Sequence, residues 1–135
     1  MANVASHASV VAGVQAMEDQ HGILVESINA IGQKLTLGYS STRLSDQIAL
    51  LVEFTGMHFG CEESLLRRLG YPGLDEHCKA HQNLMHQIKM AAHRAEAGDD
   101  VELERILESL RGQYLEHMER LDREYSQWLN SGSVH

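Results

Sequence analysis

Apolar residues recur at helical spacing along most of the chain. From about Gln15 to Leu37 the stripe is Ile23, Leu24, Ser27, Ile28, Ile31 and Leu35. Gly38-Tyr39-Ser40-Ser41 interrupts it, and Ser41 or Thr42 is placed to cap a second helix. That helix runs to about Leu69 with Leu44, Ile48, Leu51, Val52, Met57, Cys61 and Leu65 as its stripe. Gly70-Tyr71-Pro72-Gly73 stops it and turns the chain. A third helix starts near Leu74 or Asp75 and ends before Gly98, carrying Leu84, Met85, Ile88 and Ala92. Asp99 or Asp100 can cap a fourth, which holds Val101, Leu103, Ile106, Leu107, Leu110, Leu115, Leu121 and Leu129. Four long helices with short connections predict an all-α fold, an up-down-up-down antiparallel four-helix bundle. The bundle is expected over 15–130, after an N-terminal arm (1–14) and before a frayed tail (131–135).

Composition narrows the function. The 135 residues are enough for one domain that buries its own core. A net charge of −8 repels phosphate backbones and disfavours nucleic acid as a partner. No basic cluster suits an anionic membrane surface, and no apolar run is long enough to span a bilayer. Cys61 and Cys78 form no C-x-x-C pair and no disulfide framework, which fits a reducing cytoplasm. Both are expected to be small packing residues.

The chemistry lies in five histidines and two carboxylates. His21 is early in the first helix, and His58 with Glu62 is late in the second. His77 with His81 is early in the third, and His117 with Asp122 is late in the fourth. In the predicted topology all seven share one end of the bundle. His58 and Glu62 are four apart, as are His77 and His81, so each pair lies on one helix face. His117 and Asp122 are five apart, which separates them by roughly 140° on an ideal α-helix. Imidazole plus carboxylate suits iron, manganese and zinc, and seven such groups are enough for two metals. His7, His86, His93 and His135 lack this placement and read as surface or tail residues. Met57, Met85, Met90 and Met118 read as core filler, and Glu102, Glu104 and Glu108 as a solvated face.

These motifs resemble the hemerythrin family, more closely its bacterial branch. The resemblance is carried by Met17-Glu18-Asp19-Gln20-His21, by His58-Phe59-Gly60-Cys61-Glu62-Glu63, by Gly70-Tyr71-Pro72 followed by His77-x-x-x-His81, and by His117-x-x-x-x-Asp122. It implies an oxo- or hydroxo-bridged pair of iron ions. One iron would take His77, His81 and His117; the other would take His21 and His58 and keep an open position. Glu62 and Asp122 would bridge them. The resemblance further implies that dioxygen binds reversibly at the two-histidine iron and is held there as a hydroperoxide. Leu24 is a candidate wall of the oxygen pocket.

One departure from the family concerns that pocket. The family usually has Trp-Leu at the fourth and third positions before the last ligand histidine; here they are Gln113 and Tyr114. Tyr114 then places a phenol near the bound gas, as a hydrogen-bond donor or a proton route, unless its hydroxyl turns to solvent or to a backbone partner. The family's usual aspartate three before the first ligand is Glu18 here, a small change beside the ligand set.

Reversible dioxygen binding, for transport, storage or sensing, is the leading reading. In the family the same domain also sits inside signalling proteins, which leaves a fused or separate output domain open. A di-iron enzyme acting on oxygen, peroxide or nitric oxide is the second reading. Ferritin-like oxidases carry two Glu-x-x-His motifs, whereas this chain has one, Glu18-x-x-His21. Metal storage is the third.

Overall fold

The computed structural model describes residues 7–131, with side chains from residue 12 onward. The elements are α1 (His7–Thr36), α2 (Ser41–Leu69), α3 (Leu74–Glu96), α4 (Asp100–His117), a π-helical segment (Met118–Asp122) and α5 (Arg123–Asn130). No strand occurs among the described residues. α1 packs on α2 and α4, and α3 packs on α2 and α4, which closes the four-helix bundle.

Local signals explain most boundaries. Ser40, one residue before the expected cap, starts α2 by accepting from the Arg43 amide. Gly70 ends α2 in the left-handed region at φ 71°, where its lack of a Cβ avoids strain. Asp99 caps α4 by accepting from the Glu102 amide at 3.2 Å. Asp100 instead takes the Ser41 amide at 2.7 Å and ties the start of α4 to the start of α2. α1 begins eight residues before the expected Gln15, so residues 7–14 of the expected arm extend the helix. Nothing in that Ala- and Val-containing stretch breaks a helix except Gly13, and Gly13 has a packing use. A Cβ there would sit 3.3 Å from the Leu65 side chain of α2. Residues 1–6 of the arm and 132–135 of the tail lie outside the described residues.

The main core joins all four helices through Leu24, Ile28, Ile31, Ile48, Leu51, Phe59, Leu84, Ile88, Leu103 and Leu110. A second cluster of Leu66, Tyr71 and Tyr125, with Leu74, Trp128 and Leu129 against it, seals one end. Along α2, Phe59 belongs to the core and Leu66 to the seal, and Glu62 falls between them. Four residues expected on the inner stripes face outward. Ile23, Met57 and Val101 are 48%, 44% and 81% exposed, and Cys61 is exposed too. On α2 the reason is direct: the core face there is taken by Thr55, His58, Phe59 and Glu62, and their neighbours turn to solvent. Met85, Met90 and Met118 do pack against the core. No described helix is long and apolar enough to cross a membrane.

The π segment changes the register of the fourth helix. Its i→i+5 hydrogen bonding adds one residue to a turn, so position i+5 lies over position i. Asp122 therefore falls beneath His117, the pair that α-helical geometry would have splayed apart. Inserting one alanine after the exposed Glu119 should swing Asp122 by about 100° away from His117. Metal uptake per chain should fall while circular dichroism stays helical; unchanged uptake would refute this role for the segment.

Candidate metal centre

All seven sequence-predicted residues meet in the layer between the core and the end seal. His58, Glu62 and His77 are 0% exposed, and His81, Asp122 and His117 are 2%, 5% and 6% exposed. His21 is slightly more accessible. Two groups of donor atoms form, each with its atoms within 4.8 Å of one another: Glu62 with His77, His81 and His117, and Glu62 with His21 and His58. Glu62 belongs to both. Asp122 stands outside these two groups yet reaches across them, with Oδ1 3.1 Å from His77 Nε2 and 3.2 Å from His117 Nε2, and Oδ2 3.2 Å from His21 Nε2.

The Glu62 carboxylate is the centre of the set. Its Oε1 lies 2.6 Å from His77 Nε2 and 3.0 Å from His81 Nε2, and its Oε2 lies 3.1 Å from His21 Nε2. Tyr125, on the first turn and a half of α5, donates its hydroxyl to Oε2 at 3.3 Å. Burial alone would raise the pKa of this carboxyl. The His21, His77 and His81 imidazoles against its oxygens outweigh that and hold it well below the ordinary carboxylate range. Asp122 follows the same logic: burial raises it, and His117 and His77 bring it below its usual value.

Several of these contacts are short without being hydrogen bonds. His81 Nε2, His117 Nε2 and both Asp122 oxygens are buried and lack a well-aligned partner, as does His58 Nε2. Nitrogen and oxygen atoms that crowd within about 3.2 Å without hydrogen-bond alignment have lone pairs converging on shared space. That is the demand a cation answers, and a donor set of five imidazoles and two carboxylates fits iron, manganese or zinc.

Two partners of the ring nitrogens on the far side were not singled out as site residues in the sequence. Gln20 Oε1 on α1 accepts from His58 Nδ1 at 2.7 Å, and Glu63 Oε2 on α2 accepts from His81 Nδ1 at 2.8 Å. Each fixes a ring so that Nε2 points into the cluster. Both are chain neighbours of a ligand candidate, but the pairing crosses between helices and no local spacing announces it. Phe59 stacks on the His81 ring at 3.8 Å between centroids and holds it from the core side.

Leu24 and Tyr114 both line a small cavity next to the cluster. It has a volume of about 10 Å³ and is lined by Leu24, Ile28, Thr55, Phe59, Leu84, Ile88, Leu110 and Tyr114. Leu24 is 1% exposed and Tyr114 is 3% exposed. The Tyr114 hydroxyl reaches neither solvent nor a protein partner, which removes the two bland settings considered for it. Cys61 and Cys78 are free thiols, Cys61 on the surface and Cys78 half-buried. His86 and His93 are exposed.

The family model described as the hemerythrin HHE cation binding domain matches residues 12–129. The chain belongs to the hemerythrin family. Bacteriohemerythrins of Pseudomonas paraeruginosa (strain DSM 24068 / PA7) and Pseudomonas aeruginosa (strain UCBPP-PA14) are each 32% identical to it over 89 residues, 66% of this chain and 58% of theirs. A bacteriohemerythrin of Stenotrophomonas maltophilia (strain R551-3) is 26% identical over the same length. The matched region thus spans a little over half of these relatives. No solved structure matches the chain at a comparable level.

The charges predict how the metal-free bundle responds to pH. Burial lowers His58 from 6.5 to about 4. Burial also opposes a charge on His77, but the Asp122 carboxylate 3.1 Å from its Nε2 and the Glu62 carboxylate, which accepts from that nitrogen, prevail and raise it to about 9. Between pH 4 and 6.5 the unfolded chain binds the extra proton at His58, so stability rises with pH. The lowered carboxyls Glu62 and Asp122 add to the loss in acid. Between pH 6.5 and 9 the folded chain binds the extra proton at His77, so stability falls with pH. Urea midpoints of the metal-free protein should therefore peak near pH 6.5; a midpoint still climbing toward pH 9 would contradict the assignment.

Proposed function

We propose that this domain binds dioxygen reversibly at a pair of iron ions, as a carrier, store or sensor. His77, His81 and His117 would hold one iron and His21 and His58 the other, with the Glu62 and Asp122 carboxylates shared between them. Support for two ions comes from the two donor groups that share Glu62. Iron bound there would supply the reversible redox chemistry that dioxygen binding needs. The protein's own part is to position and to exclude. Gln20 and Glu63 orient rings, Tyr125 steadies the shared carboxylate, and Phe59 closes the core side.

The observation that carries the choice of ligand is the size and lining of the adjoining cavity. At about 10 Å³ it has room for about one molecule of water size, and six of its eight walls are aliphatic or phenyl side chains. Dioxygen fits that space, whereas an organic substrate does not. A dry wall also limits the water and protons that would drive oxygen off in reduced form. Binding without turnover is favoured further by the ligand set, which is rich in histidine and poor in carboxylate compared with di-iron oxidases. On this reading the partner is dioxygen itself, the protein is not an enzyme, and a signalling output domain, fused or separate, is needed only for sensing. A cytoplasmic setting suits its two free thiols.

Reduced, iron-loaded protein should develop a visible absorption band on exposure to oxygen and lose it under argon, over repeated cycles. A single irreversible passage to the ferric spectrum would overturn reversible binding. Colourless protein that retains only zinc would overturn the iron assignment.

A further inference from the structure

Among the described residues, the buried side-chain atoms without a hydrogen-bond partner fall into three places. One is Ser41 Oγ at the start of α2. The second is the set of histidine and aspartate atoms in the metal cluster. The third is the Tyr114 hydroxyl. A metal pair answers His58 Nε2, His81 Nε2, His117 Nε2 and the Asp122 oxygens of the second set, leaving aside the outward ring atoms His77 Nδ1 and His117 Nδ1. It leaves the phenol unanswered, although burying a hydroxyl without a partner forfeits its hydration for nothing.

Tyr114 stands over both halves of the cluster. Its ring centroid is 6.3 Å from that of His21 in the two-histidine group and 6.2 Å from that of His117 in the three-histidine group. Phe59, 6.3 Å away, borders it on the core side. The same ring lines the small apolar cavity. A tyrosine hydroxyl can donate one hydrogen bond, and this one has no acceptor among the described residues. A hydroxyl donor between a cavity of about 10 Å³ and the site of a cation pair is arranged for a ligand that brings negative charge.

We propose that Tyr114 is a positioning residue whose hydroxyl donates a hydrogen bond to a small negatively charged ligand entering the pocket beside the metal pair. The inference rests on the reading of the cluster as a di-iron centre and goes beyond it, because it assigns ligand recognition to a side chain that holds no metal. It also makes this pocket selective: small anions, and diatomics that gain charge on binding, are retained over neutral apolar gases of the same size.

Azide is the probe. Native protein and Tyr114→Phe, both loaded with ferric iron, are titrated with azide by visible absorption, and the metal-free forms are unfolded thermally. The variant should hold the same amount of iron and bind azide about tenfold more weakly, the loss of about one hydrogen bond to a charged group. Its metal-free form should unfold at the same temperature as the native one or higher, since an unpaired hydroxyl has been removed. The azide stretch should shift in deuterated water in the native protein and not in the variant. Equal azide affinities would overturn the role of Tyr114 and leave the metal centre standing. A lower metal-free unfolding temperature in the variant would overturn it by revealing a structural partner. A tyrosinate-to-iron band without azide would overturn it in favour of direct ligation. Native protein that takes up no iron would overturn the metal centre, and the inference with it.

Discussion

The fold is organised around a carboxylate that has no business in a protein interior on its own. Glu62 is fully buried, and three histidine nitrogens lie within 3.1 Å of its oxygens. An unpaired charge there would cost several kcal/mol, and replacing either partner of such a pair leaves the other stranded. Each helix is therefore committed at one level: α1 supplies His21, α2 supplies His58 and Glu62, α3 supplies His77 and His81, and α4 with the π segment supplies His117 and Asp122. The apolar core on one side and the Tyr71–Tyr125–Leu66 seal on the other keep water from solvating these groups instead.

That commitment explains where the helices depart from regular form. A bundle helix ordinarily presents apolar side chains inward every three to four residues. On α2 the inward positions at the site are Thr55, His58, Phe59 and Glu62, so Met57 and Cys61 point out despite their apolar character. In the fourth helix, the need to bring Asp122 under His117 is met by a single π turn rather than by a loop. Such turns preserve helix direction while shifting register, and α5 continues onward to place Tyr125 against Glu62.

The bundle and the seven ligand candidates could be read from the sequence because both depend on helix boundaries and chain direction. Gly70, Gly98 and Asp99 mark those boundaries, and four-residue spacings place His58 with Glu62 and His77 with His81. The five-residue spacing of His117 and Asp122 was legible as a pair but not as a geometry, since α-helical periodicity alone splays them. Gln20 and Glu63 stayed hidden because their roles arise from pairing across helices, to His58 and His81. For Tyr114 the sequence offered solvent, a backbone partner or the pocket; only packing could place its hydroxyl, buried and unpartnered.

The most direct test concerns the shared carboxylate. Metal-free native protein and Glu62→Ala would be titrated with ferrous iron without oxygen, counting ions bound per chain. If Glu62 joins the two donor groups, the native chain takes up two irons and the variant loses both sites together. One iron in the native chain, or two retained in the variant, would contradict a centre built on Glu62.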